Sequence, residues 1–177
     1  MKKFICSILV LTSFFLFVSC DNDKVAHNDK DQNLTIDVAQ EKLEISQILD
    51  NLATAYEGGN FDLIENIWLP SKDILAVGTD NNEKLEGWEE ISTIIKRQLG
   101  TFEETFISIT DQDIWINDDA SVAWFFEELN YNFVYKEKAM TFTGIRFTGV
   151  MLKQDSKWRL VQQHMSIPAA LEMVETN

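Results

Sequence analysis

Apolar positions along this chain change their spacing part-way, from a helical repeat to a strand repeat. Ile45, Ile48, Leu49, Leu52, Ala53 and Tyr56 fall at the i, i+3, i+4, i+7 spacing of one buried helix face, and Gly58-Gly59 ends that helix. Asn60 suits the N-cap of a short second helix, with Phe61, Ile64, Ile67 and Trp68 inward and Pro70 as its stop. A third helix is predicted from Trp88 through Ile91, Ile95 and Leu99 to Gly100, a residue that suits a left-handed C-terminal cap. From Phe102 onward the chain turns aromatic and β-branched, split by polar turns at Asn117-Asp118-Asp119, Lys136-Glu137-Lys138 and Gln154-Asp155-Ser156. Strands are therefore expected over 104–116, 121–136, 139–153 and 157–166, with a short one at 73–79 between the second and third helices. Segregated helices and long antiparallel strands mean an α+β fold, a curved antiparallel sheet packed against three N-terminal helices. Strands of that length must curl, and a curled sheet closed by helices makes a cone whose mouth can hold a ligand.

One apolar stretch fits neither repeat. Lys2 and Lys3 precede an unbroken run from Phe4 to Val18, too short to span a bilayer and of the length that a secretory signal needs. Its end, Leu16-Phe17-Val18-Ser19-Cys20, resembles the lipobox of bacterial lipoproteins, where the cysteine is lipidated and becomes the new N-terminus. The expected organisation is a signal peptide over 1–19, lipidated Cys20 with a polar, disordered linker to 37, a single domain over 38–168, and a tail over 169–177. Several acyl chains hold durably where one would not, so the expected location is the cell envelope, anchored by lipid to a bacterial membrane. The tail carries Leu171, Met173 and Val174, which suit a short helix.

Composition narrows the chemistry. The only cysteines are Cys6, inside the expected signal, and Cys20, consumed by lipid, so disulfides, thiolate catalysis and cysteine metal sites are excluded from the mature domain. Of 15 Lys and Arg, Lys2 and Lys3 leave with the signal, and 13 remain against 29 acids, a net charge of −16. Such a polyanion repels phosphate backbones and anionic lipid, which argues against nucleic-acid binding. His27 lies in the linker, leaving His164 as the domain's one histidine, and no His-Glu-x-x-His, phosphate-cradling glycine loop or nucleophile elbow is present. A transition-metal site is not expected, and the acidic turn at Asn117-Asp118-Asp119 lacks the spacing of a calcium loop.

The ordered set of Tyr56-Glu57-Gly58-Gly59-Asn60-Phe61-Asp62, a short helix ending at Trp68, a short strand, Gly87-Trp88-Glu89-Glu90-Ile91 opening a helix, and four strands resembles the nuclear transport factor 2-like superfamily, closest to its SnoaL-like branch. The endings carry the resemblance furthest: Arg146-Phe147-Thr148, then Lys157-Trp158-Arg159-Leu160-Val161 and His164-Met165-Ser166, similar also to the association domain of calmodulin-dependent kinases. The resemblance covers roughly Glu41 to Pro168. It implies a cofactor-free domain from a superfamily of ketosteroid isomerases, dehydratases, polyketide cyclases and noncatalytic members, so fold alone does not settle activity. Any activity it implies is that of a lyase, isomerase or hydrolase. In the isomerases a first-helix tyrosine and a first-strand aspartate do the chemistry. Those positions fall here near Leu52 and Ala76 to Gly78, and neither group is present.

Candidate ligand contacts are Tyr56, Trp88, Trp124, Arg146 and His164. A neutral imidazole at His164 can serve as acid, base or hydrogen-bond partner, and a guanidinium at Arg146 can clamp a carboxylate. A carboxylate ligand would suit both, and the pocket is expected to take a small carboxylate-bearing or apolar molecule. The structural alternatives are that His164 bonds backbone or Ser166, and that Arg146 pairs with Glu127, Glu128 or another acid. Alternation puts Trp124 and Phe126 on one face and Phe125 on the other, and sends Glu127 and Glu128 to opposite faces. Two functions stay open: a small-molecule pocket, or a noncatalytic module that forms a homodimer through the outer face of the sheet.

Overall fold

The structure is a computed structural model that describes residues 36–169. The expected signal peptide, Cys20, nearly all of the linker and the end of the tail lie outside the described residues.

Helix α1 spans Val38–Glu57. Asp37 caps it by accepting from the backbone N–H groups of Ala39 and Gln40, which satisfies two otherwise unpaired donors. Its buried face is Ile45, Leu49, Leu52 and Ala55. Ala55 takes the place expected of Ala53, which is half-buried, because α1 must also cover α2 on its flank. The chain turns at Gly59, at φ +64°, a conformation that glycine adopts without strain.

Helix α2 spans Phe61–Ile67, and the Asn60 side chain accepts from the Leu63 N–H as an N-cap. It stops before Pro70. Trp68 is already extended and bridges to Leu160, because the residue before a proline is disfavoured in helix and Leu69 occupies that place. Strands β1 (Leu75–Val77) and β2 (Lys84–Glu86) form a small hairpin, and α3 follows over Trp88–Leu99. Gly100 is not left-handed: its φ is −85°, and its N–H bonds back to Lys96 while Phe102 bonds to Gln98, so the chain leaves α3 in a right-handed turn.

Four long strands complete the domain: β3 Glu103–Ile116, β4 Val122–Tyr135, β5 Lys138–Gln154 and β6 Lys157–Ser166. The six-stranded sheet runs β2-β1-β6-β5-β4-β3. It is mixed rather than wholly antiparallel, because β1 pairs parallel with β6. Strand β2 has no counterpart in the sequence reading. The β4–β5 and β5–β6 turns place Lys136, Glu137, Asp155 and Ser156 at positive φ, the twist that tight hairpins need.

Register shifts near Thr110, Asn130 and the β5–β6 pair at Val150/Met151 mark bulges that bend the sheet around the helices. On the concave side Phe125, Leu129, Ile145, Phe147, Met151, Trp158 and Leu160 join the helix residues in one core. A second anchor fixes the start of α1. Glu41 accepts from Lys153 Nζ at 2.5 Å and from Trp158 Nε1 at 2.7 Å, joining the first turn of α1 to the β5–β6 hairpin. The Lys153 hydrogen bond, above all, holds the Glu41 carboxyl below its ordinary range.

Candidate functional site

Between α1, α3 and the concave face of the sheet lies a cavity of about 180 Å³. Its lining is mainly apolar. Ile91, Ile94 and Ile95 come from α3, Leu129 and Ile145 from the sheet, and Phe102, Phe133 and Phe142 form an aromatic wall. Phe102 stacks on Phe133 at 4.3 Å between ring centroids, and Phe133 is 5.4 Å from Tyr131 and 5.9 Å from Phe142. Rings held this way offer flat faces to a ligand at little entropic cost.

Polar groups are few. Tyr56, from the last turn of α1, and Tyr131, from the middle of β4, both reach the cavity. Burial, and then the neighbouring Tyr131, push the Tyr56 phenol up from its ordinary value. Burial pushes Tyr131 up to about 12, against a hydrogen bond with Thr105. Both hydroxyls therefore keep their protons at neutral pH and can donate a hydrogen bond into an apolar space. Gln98, Gln163, Thr79 and Glu83 complete the polar lining, and Glu83 is its one charged side chain.

Of the five ligand contacts expected from sequence, the structure brings only Tyr56 to this cavity. Trp88 packs instead between Phe61 and Trp68, at 6.2 and 6.3 Å. His164 stands opposite Thr148 in the β5–β6 register, and Arg146 stands opposite Glu128 in the β4–β5 register; all four share the convex face with Trp124. Arg146, His164 and Trp124 are exposed there. The expectation that Arg146 and His164 line the cone is thereby corrected. The reason is alternation: Gln163 and Met165 line the cavity, so His164 between them must point away. Arg146 alternates in the same way with the buried Ile145 and Phe147, and its guanidinium donates to the Ile167 carbonyl at 3.4 Å.

Tyr131 and Glu83 were not foreseen. Extending the alternation that buries Phe125, Glu127 and Leu129 would have reached Tyr131 and Phe133. Glu83 gave no such signal, since it sits in the polar run Asp80-Asn81-Asn82-Glu83-Lys84 that reads as a solvated turn.

One further carboxyl is buried outside the cavity. Glu127 is 1 % exposed beneath α1, accepts from Gln112 Nε2 at 2.7 Å, and Gln112 in turn accepts from Ser46 Oγ at 2.7 Å. Burial raises its pKa to about 7, opposed by the Gln112 hydrogen bond and aided by the charge of Asp50.

A family model for the SnoaL-like domain matches residues 45–170, most of the chain and every residue that lines the cavity. The chain belongs to the SnoaL-like domain family. Solved structures agree on its fold. A nuclear transport factor 2-like superfamily protein from Salmonella enterica serovar Typhimurium has a TM-score of 0.69 at 18% identity, over 78% of this chain and 99% of that one. A protein from Streptomyces avermitilis, named as a dehydratase of the same family, has a TM-score of 0.67 at 17% identity, over 75% and 99%. A protein from Xanthomonas campestris, named as a calmodulin-dependent kinase association domain, has a TM-score of 0.62 at 22% identity, over 72% and 88%. No curated protein matches.

Within this SnoaL-like domain, the positions that the resemblance set against the isomerase tyrosine and aspartate differ in fate. Leu52 is buried in the core, whereas Ala76 and Gly78 line the cavity. Among the described residues no group of three His, Cys, Asp or Glu side chains is placed to hold a metal, and no helix is long and apolar enough to cross a membrane.

Proposed function

We propose that this SnoaL-like domain binds a small, largely apolar, ring-bearing molecule in the cavity between α3 and the concave sheet face, within the cell envelope, where lipid on Cys20 holds it to a bacterial membrane. The carrying observation is the cavity itself: an aromatic wall of Phe102, Phe133 and Phe142, with the Tyr56 and Tyr131 hydroxyls placed among apolar groups. Largely apolar concave sites with a few convergent polar groups are where small ligands bind. A carboxylate-bearing ligand loses its support, because the cations that favoured it lie on the other face and the lining holds no Lys or Arg. The tether rests on the sequence alone, on the basic start, the apolar run and the Leu16-to-Cys20 ending. An acidic linker would hold the domain off an anionic surface rather than draw it in.

The test is a thermal-shift series with neutral bicyclic and tricyclic compounds on the wild type and on Tyr56→Phe and Tyr131→Phe. Stabilisation of the wild type that falls in at least one phenylalanine variant supports the reading. A wild type that no compound stabilises removes it.

A second reading has its own observation. On the convex face Trp115 and Trp124 stack at 6.5 Å while remaining 42% and 44% exposed, beside the exposed Leu152. A paired tryptophan surface of that kind suits an isologous contact with a second copy of the chain. It is compatible with ligand binding, since the cavity opens on the opposite face. Light scattering on the wild type and Trp124→Lys separates the two states: a wild type that stays monomeric at high concentration eliminates the dimer.

A further inference from the structure

Resting on the reading of the cavity as a ligand site, we infer that the cavity selects an organic ammonium, a ring-bearing amine whose cationic end meets the Glu83 carboxylate and the faces of the surrounding aromatic rings. Three observations carry this. First, Glu83 is the only charged residue among those lining the cavity, so the site offers a cation one counterion and offers an anion none.

Second, the carboxylate is held in place. Gly78 donates its N–H to the Glu83 carbonyl at 2.8 Å, and the Asp80 N–H donates to Glu83 Oε2 at 3.1 Å. A Cβ on Gly78 would stand 2.0 Å from Glu83 Oε2 and under 3 Å from its Cδ and Cβ, so the side chain folds directly over the bare glycine. Only the missing side chain at 78 leaves that space. The adjacent cation does not neutralise the site, because Lys84 Nζ pairs with Glu86 at 2.5 Å.

Third, the wall is aromatic. Five rings, those of Tyr56, Phe102, Tyr131, Phe133 and Phe142, line the same cavity. Ring faces attract a cation by their quadrupole, most strongly where water is excluded. A carboxylate among aromatic faces is the combination that recognises an ammonium and penalises a carboxylate of the same shape, since specificity comes as much from the repelled congener as from the favoured one. The tyrosine hydroxyls remain available for a polar group elsewhere on the same ligand.

Three indoles that share a two-carbon arm test this by titration calorimetry at low salt: tryptamine, whose arm ends in an ammonium, the neutral 3-ethylindole, and indole-3-propionate, whose arm ends in a carboxylate. The wild type should bind tryptamine about tenfold more tightly than 3-ethylindole, the size expected for one partly solvated charge-assisted contact, and indole-3-propionate least of all. Glu83→Gln retains an acceptor for the Asp80 N–H. It should remove most of the preference for tryptamine, leaving only the share the rings supply, while leaving 3-ethylindole unchanged. Tryptamine binding no tighter than 3-ethylindole, or a preference undiminished by Glu83→Gln, overturns the inference while leaving the cavity reading intact. Failure of all three to bind overturns both.

Discussion

Glu127 should make this domain less stable as pH rises through the neutral range, and one substitution should remove the effect. The carboxyl is buried beneath α1 with Gln112 Nε2 as its hydrogen-bond donor, and burial lifts its pKa from 4.5 to about 7. The folded state therefore holds this proton more tightly than the unfolded chain does. Below the unfolded value both states are protonated and the residue contributes no pH dependence. Between 4.5 and about 7 the unfolded chain releases its proton first, so stability falls with rising pH, and above about 7 the full cost of a buried carboxylate is present. At about 1.36 kcal/mol for each tenfold change in proton affinity, the cost approaches roughly 3 kcal/mol. Glu127→Gln preserves the volume, and its amide oxygen can still accept from Gln112. Urea denaturation followed by tryptophan fluorescence, at about pH 4 and about pH 8, gives the comparison. The variant should match the wild type at the lower pH and exceed it by roughly 2 to 3 kcal/mol at the higher. Because every other titrating group is common to both proteins, the difference isolates this carboxyl. Equal differences at the two pH values would refute the reasoning.

Glu41 should behave in the opposite sense. Its carboxyl is held low by Lys153, so its contribution is present above the unfolded value and lost as pH falls through the folded one; Glu41→Gln should cost about 1 to 2 kcal/mol near neutrality and little in acid, by the same denaturation assay. Gly78→Ala should cost about 1 to 2 kcal/mol, because its Cβ would stand under 3 Å from the Glu83 Cβ as well as from the carboxylate, and should reduce any preference for tryptamine over 3-ethylindole in calorimetry. Gly149→Ala should be far more damaging, since its Cβ would stand 2.6 Å from both the Gln162 carbonyl and the Phe125 ring; a loss of about 2 to 3 kcal/mol on denaturation is expected, and a neutral result would show that this part of the sheet yields.

Much of the fold was legible because its signals are local. Asn60 caps α2 through its own side chain, Pro70 forbids a longer helix, and the Asn117-Asp118-Asp119 turn ends β3 where the sequence changes character. Alternation along β4 correctly parted Phe125 from Trp124 and Phe126, and Glu127 from Glu128. What alternation cannot supply is which face turns inward, since that depends on where the helices dock. The convex position of Arg146 and His164 followed from that choice and reversed their expected role. Bulges add a second loss, because each shifts the parity of a strand: on β6 Trp158 and Leu160 face the core, but so do Gln163 and Met165 beyond the register shift. Strand β2 is three residues long and mostly exposed, too short for any periodicity. Glu83 became visible only once that hairpin laid it over Gly78.

A cavity that is a site rather than a packing defect should lose its ligand when a side chain fills it. Ile107 lines the cavity from β3 and is half-buried, so Ile107→Trp should occupy the space with modest strain while leaving the convex face untouched. Calorimetric titration of the wild type and this variant with 3-ethylindole is the decisive comparison, with circular dichroism and thermal unfolding showing that both are folded. Saturable binding by the wild type and none by the folded variant is the expected result. Equal binding by both would contradict it, placing any ligand elsewhere on the domain.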